Sequence, residues 1–273
     1  MLLPSLLPDV RQYFAIWSVL FRQSLIHLMT DSDRPQHGLE GRTVLVTGAS
    51  RGIGRAISER LLAAGTKIIG LGRDFGGWHH RPEGFTAIAL DLSDLDALPN
   101  RLTRLCREHP DLDGVICNAG AGRFGHLEQF SPAQLRASVD LNLTQHILVA
   151  RTCLPVLKRR RFGDLLFIGS ESALAGGAKG AVYSACKFGL RGLAQSLRLE
   201  CAASGVRVGI INPGMVLTGF FDDLDFAPGE EPENHIRPED VAELAIAMLT
   251  APPGTVIDEV NLSPLKKVIR FQR

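Results

Sequence analysis

A doubly wound, parallel α/β sheet in a single Rossmann-type domain is the fold this sequence predicts, and three observations carry that expectation. Short runs rich in Val, Ile and Leu recur between residues 41 and 264. Stretches of helical length, apolar on one face, separate them. A glycine-rich turn joins the first run to the first helix.

The elements follow in order. Residues 43–50 (TVLVTGAS) form a β-branched run that ends in glycine. Arg55 to Ala64 reads as a helix with Ile57, Leu61 and Leu62 on one face, and Gly65 ends it. KIIGLG (67–72) and FTAIALDL (85–92) are the second and third strands, and Leu95 to Glu108 is the next helix. GVICNAG (114–120) is the fourth strand, followed by a long helix from about Pro132 to Arg159. DLLFIGS (164–170) is the fifth strand and Tyr183 to Ser204 a second long helix. VRVGIINPG (206–214) is the sixth strand, Arg237 to Thr250 a helix, and TVIDEVNLSP (255–264) the last strand. Runs this apolar suit strands covered on both faces. Such sheets bind ligands at the carboxyl ends of their strands, so chemistry is expected in the turns just after each one.

The bulk numbers set limits. A chain of 273 residues with 45% hydrophobic content fits one large domain, and a net charge of +1 gives no field for nucleic acid. Five cysteines, an odd number without CxxC spacing, read as reduced thiols in a cytoplasmic protein. No HExxH or other ligand spacing calls for a metal.

Residues 1–40 form an N-terminal extension to a catalytic domain spanning 41–273. Arg11 and Arg22 bracket only ten uncharged residues, short of the roughly 20 a membrane span needs. MLLPSLLPDV lacks the basic start of a secretory signal. Two readings are favoured equally: an amphipathic helix packed on the domain or a partner subunit, and translation that begins at Met29. A helix lying on a membrane surface is the third reading and the least favoured.

After the first strand comes Thr47-Gly48-Ala49-Ser50-Arg51-Gly52-Ile53-Gly54 and then a helix. Glycines there let backbone approach a pyrophosphate, and the helix start offers free N–H groups and a positive dipole end. The spacing is Gly-x-x-x-Gly-x-Gly, and TGASRGIG resembles the phosphate motif of the short-chain dehydrogenase/reductase family. The second strand ends Leu71-Gly72-Arg73, with no acid at its tip to hold ribose hydroxyls. Arg73, with Arg51 close by, suits a 2′-phosphate and favours NADP(H) over NAD. Asp74 is the alternative should that strand run one residue further. The resemblance implies that Asp91 and Leu92 bracket the adenine ring and that Asn118-Ala119-Gly120 borders the cofactor.

Tyr183 and Lys187 stand four residues apart, on one face of a helix. A nearby ammonium is expected to lower the phenol pKa and make Tyr183 a general acid/base. Ser170 lies thirteen residues before Tyr183, and Asn142 twenty-eight before Ser170. These spacings match the family. The resemblance implies a tetrad in which Ser170 polarises the substrate oxygen, Tyr183 transfers the proton, and Asn142 holds a water in a relay to Lys187. Lys187 also reaches the nicotinamide ribose. Pro213, Gly214 and Thr218 match the family's segment at the nicotinamide amide and phosphates.

The implied activity is interconversion of a small-molecule carbonyl and a secondary alcohol. Residues 215–238, acidic and proline-containing, are expected to form a mobile lid, and residues 173–180 another wall. A 3-oxoacyl carrier-protein reductase and an oxidiser of small 3-hydroxy acids are the subgroups considered, with a non-catalytic NADP-binding regulator as the contrasting class. The two long helices are expected to pair copies into a homodimer or homotetramer.

Overall fold

The computed structural model describes residues 38–252 and 254–271. All three readings of the N-terminal extension fall on residues 1–37 and lie outside the described residues. The chain runs β1 (Thr43–Thr47), α1 (Gly52–Ala63), β2 (Lys67–Gly72), β3 (Phe85–Ala89), α2 (Leu98–Glu108) and β4 (Leu112–Cys117). It continues through α3 (Pro132–Val139), α4 (Gln145–Arg160), β5 (Gly163–Ile168), α5 (Ala181–Ala202) and β6 (Val206–Pro213). β7 (Phe226–Pro228), α6 (Pro238–Leu249), β8 (Glu259–Leu262) and β9 (Ile269–Phe271) complete it.

Seven strands form one sheet in the order β3-β2-β1-β4-β5-β6-β8, and all six pairings are parallel. The chain moves outward from β1 to β3, then crosses back to β4. The order therefore reverses between β1 and β4, and that reversal opens a crevice at their carboxyl ends. Helices cover both faces. Leu98, Leu102 and Leu105 of α2, Val149 and Leu157 of α4, and Leu190 of α5 bury one face. Ile57 and Leu61 of α1 with Val241, Ala245 and Leu249 of α6 bury the other.

Three elements depart from expectation. The long helix 132–159 is not continuous, because a π turn over Asp140–Thr144 separates α3 from α4. The glycine turn forms the first turn of α1, so that helix begins at Gly52 and not Arg55. The last strand of the sheet shortens to Glu259–Leu262, and the chain beyond it pairs β9 antiparallel with β7. All five cysteines are free and buried. No helix among the described residues is long and apolar enough to cross a membrane.

The amino edge of the sheet is held by buried charge. Arg42, 5% exposed, donates to Asp113 at 2.9 Å and to Asp164 at 2.6 Å. Arg207 takes the second oxygen of Asp164 at 2.7 Å and the carbonyls of Leu249 and Ala251. One network thus joins β4, β5 and β6 to the residue before β1 and to the end of α6. Replacing Arg42 by Leu leaves Asp113 buried without its cation and Asp164 with Arg207 alone, so urea denaturation should show a loss of about 3–5 kcal/mol.

Candidate active site

The glycine turn is shaped by its neighbour across the crevice. Thr47 Oγ1 accepts from the backbone N–H of Asn118 at 2.9 Å and of Ala119 at 3.1 Å. Asn118 Nδ2 donates back to the carbonyls of Thr47 and Gly48, at 2.9 and 3.2 Å. Gly48 and Gly52 sit at φ of 65° and 57°, where a side chain is strained. A Cβ at Gly54 would overlap the Gly48 carbonyl oxygen. Arg51 caps α1 without a side-chain hydrogen bond, so Ser50, Arg51, Gly52 and Ile53 form a helix start whose N–H groups no side chain satisfies. That cradle fits an anionic phosphate. Thr218, in the loop after Pro213-Gly214, closes on it: its Cγ2 would lie 3.3 Å from a Cβ at Gly52.

At the edge of the sheet, β2 ends at Gly72, so Arg73 is the first residue beyond the strand. Asp74 is turned to local use, its Oδ1 accepting the Gly76 N–H at 2.7 Å. Arg73 lines a cavity of about 450 Å³ with Phe75, Trp78, Arg81, Ala87 and Ala89. Sequence reading did not single out Arg55 and Trp78, yet the Arg55 guanidinium lies 4.7 Å from the Trp78 ring centroid. Asp91 accepts from the backbone N–H and hydroxyl of Ser93, which hold its carboxyl below the usual range. Leu92 beside it is buried.

Tyr183 and Lys187 share the inner face of α5 and are 8% and 4% exposed. Ser170 stands just past β5, where its hydroxyl accepts from Ser172 N at 3.1 Å and its closeness to the Tyr183 phenol works to lower that group's pKa. Lys187 Nζ donates to the Ile168 carbonyl at 3.1 Å and sits 5.6 Å from the Tyr183 ring centroid. Burial pushes Tyr183 up to about 12 against the opposing pull of Ser170. It pulls Lys187 down to about 8. The phenol thus moves opposite to the expected direction: the ammonium lies over the ring with its bond to Ile168, and burial dominates.

Asn142 lies in the π turn and tethers the loop after β4. Its Nδ2 donates to the carbonyls of Ala121 and Ser138, both at 3.0 Å, and its Oδ1 accepts from Ala121 N at 3.2 Å. Both amide hydrogens are therefore engaged. Gly120 owes its small size to the same contact, since a Cβ would meet Asn142 Oδ1 at 3.0 Å. His146, one turn on, was not singled out. It is fully buried, and burial with the Lys187 charge pushes it down to about 3, so its imidazole is neutral.

Phenylalanines of the loop after β4, of residues 220–221 and of β7 form a connected aromatic cluster beside Tyr183. Phe124 and Phe220 lie 5.2 and 6.1 Å from its ring centroid. Phe226 contacts Phe124 at 5.0 Å and Phe221 at 5.9 Å. The acidic segment is not merely solvated: Glu230 and Glu233 pair with Arg270 and Lys266, while Lys267 reaches Glu171 at 2.6 Å. The residues after β8 are thereby fastened to the lid. Among the described residues no cluster of His, Cys, Asp and Glu could hold a metal.

Residues 42–227 match the family model of the short chain dehydrogenases. The chain is 32% identical to the 3-oxoacyl-[acyl-carrier-protein] reductase MabA of Mycobacterium avium over 184 residues, 67% of this chain and 71% of that one. It superposes on a metagenomic short-chain oxidoreductase solved in complex with NADP, with a TM-score of 0.68 and 30% identity, covering 82% of this chain and 98% of that one. An alcohol dehydrogenase from the archaeon Thermococcus sibiricus, complexed with 5-hydroxy-NADP, matches with a TM-score of 0.73 and 25% identity, over 83% and 98% of the two chains.

Gly54→Ala should weaken nucleotide binding by about tenfold or more, because the turn must open to admit the methyl group. Fluorescence titration with NADPH reads the loss, and thermal unfolding separates it from global damage.

Proposed function

The chain belongs to the short-chain dehydrogenase/reductase family, whose members interconvert carbonyls and alcohols with a nicotinamide cofactor, and on that premise we propose an NADP(H)-dependent reductase with Tyr183 as its proton donor. The observation that supports it most is the grouping of Tyr183 and Lys187, both buried, beside Ser170 at the carboxyl end of β5. NADP bound to the metagenomic oxidoreductase favours the same cofactor here.

In this reading Gly48, Ser50, Arg51, Gly52, Ile53 and Gly54 hold the pyrophosphate. Arg73 and Arg51 face the 2′-phosphate, which Asp74, engaged with Gly76, does not contest. Asp91 and Leu92 bracket the adenine, and Asn118, Ala119 and Gly120 border the cofactor. Pro213, Gly214 and Thr218 attend the nicotinamide and phosphates. When bound, the reduced cofactor supplies the hydride.

The remaining steps belong to the protein. Ser170 hydrogen-bonds the carbonyl oxygen and polarises it. Tyr183 donates its proton to that oxygen as negative charge develops there. Lys187, charged below about pH 8, stabilises the phenolate left behind. Asn142 positions the loop after β4 and holds a water in a relay to Lys187. Copies associate through α4 and α5, which expose Ile147, Phe188 and Leu199 to solvent, in a dimer or tetramer.

NADPH oxidation at 340 nm against a ketone panel tests the chemistry. Tyr183→Phe should lose about 10²–10⁴ in turnover while still binding NADPH, and NADH should serve less well. Burial lowers the Lys187 pKa, so its charge is lost as pH rises through about 8. Tyr183, raised to about 12, keeps its proton there. Reductive kcat/KM should therefore be level at lower pH and fall above about 8. A profile rising through that range would overturn the roles of both residues. Light scattering reads the assembly, and a monomer for the full chain would remove the helix interface.

A further inference from the structure

We propose that the compound reduced at this site is a ketone bearing an aromatic or comparably flat apolar group, recognised by Phe124, Phe220 and Phe226. The inference rests on the reductase reading and adds the chemistry of the substrate.

Geometry around the tyrosine carries the inference. The Tyr183 ring is flanked by Phe124 at 5.2 Å and Phe220 at 6.1 Å. Lys187 and the Ile168 carbonyl close the inner side. Phe124 and Phe220 therefore border the approach to Tyr183, and the groups on a carbonyl carbon bound there come to rest against their rings. Phe226 extends the same wall through its contact with Phe124. Rings so placed take a flat apolar group by offset or edge contact.

The backbone has been made small to seat these rings. A Cβ at Gly122 would stand 2.5 Å from Phe220 Cζ and 2.6 Å from Phe124 Cε2. At Gly180, in the wall formed by residues 173–180, it would stand 3.6 Å from the Phe124 ring. Three separate segments of chain therefore converge to form one aromatic surface. Phe226 is further fixed by the pairing of β7 with β9, where it opposes Phe271.

The test uses the full chain with NADPH and four probes: 1-phenylpropan-1-one, butan-2-one, 3-oxobutanoate and the N-acetylcysteamine thioester of 3-oxobutanoate. The phenyl ketone should exceed the other three in kcat/KM by about tenfold or more. Phe220→Ala should lower the ratio of phenyl ketone to butan-2-one by about tenfold, chiefly through KM, and Phe220→Leu should restore part of it. NADPH titration of each variant confirms that it is folded. Preference for 3-oxobutanoate or its thioester, lost in Tyr183→Phe, would overturn this proposal and leave the reductase reading intact. An unchanged ratio in Phe220→Ala would also overturn it. Turnover of no probe would sink both readings together.

Discussion

The hydrogen bonds between Asn118 and the turn Thr47–Gly48 hold the site together. They join the carboxyl ends of β1 and β4 at the one place where the strand order reverses. Without that junction the crevice has two independent walls. With it, the glycine cradle on one side and the loop after β4 on the other move as one piece. Asn142 extends the connection through Ala121 to the π turn, and so to the start of α4. A bulge in a helix loses a regular hydrogen-bond register, and here the exchange is visible: Asn142 takes the Ser138 carbonyl while reaching out to the neighbouring loop.

Two edges of the sheet use opposite strategies. The amino edge is closed by buried ion pairs around Asp164, where each charge has an excellent partner and nothing is asked to move. The carboxyl edge carries loops, aromatic rings and exposed acid. Its lid is fastened by a strand pair and by ion pairs near the surface, which are individually weak and screened by salt. Stability is concentrated away from the chemistry, and adaptability lies beside it.

The parts legible in the sequence are those set by local pattern. Strands buried on both faces must be continuously apolar, so TVLVT, KIIGLG and DLLFI declare themselves. Gly48, Gly52 and Gly54 are required by backbone geometry, and Tyr183 with Lys187 by helical spacing. What was not legible depends on distant partners. The π turn has no glycine or proline to mark it and persists through Asn142, whose loop partner Ala121 lies 21 residues earlier. β7 and β9 are three residues each, too short for periodicity, and meet across some forty residues of chain. The aromatic surface is assembled from single phenylalanines in different loops. The burial that raises Tyr183 belongs to all of these together, so spacing alone pointed the wrong way.

That burial has a chemical consequence. Tyr183 near 12 and Lys187 near 8 are both protonated at neutral pH, each displaced toward its uncharged form. An isolated buried ammonium is costly, and an isolated buried phenolate is costly too. The two costs do not add when both charges are present, because each then faces its opposite in a medium that screens weakly. The phenolate that forms as the proton leaves therefore costs less beside the Lys187 ammonium than it would alone. Interaction that grows as the proton leaves Tyr183 favours the transition state over the ground state, which is the only kind that accelerates a reaction. Desolvation by the surrounding phenylalanines and catalysis by the Tyr–Lys pair are on this argument one property, produced by the same rings.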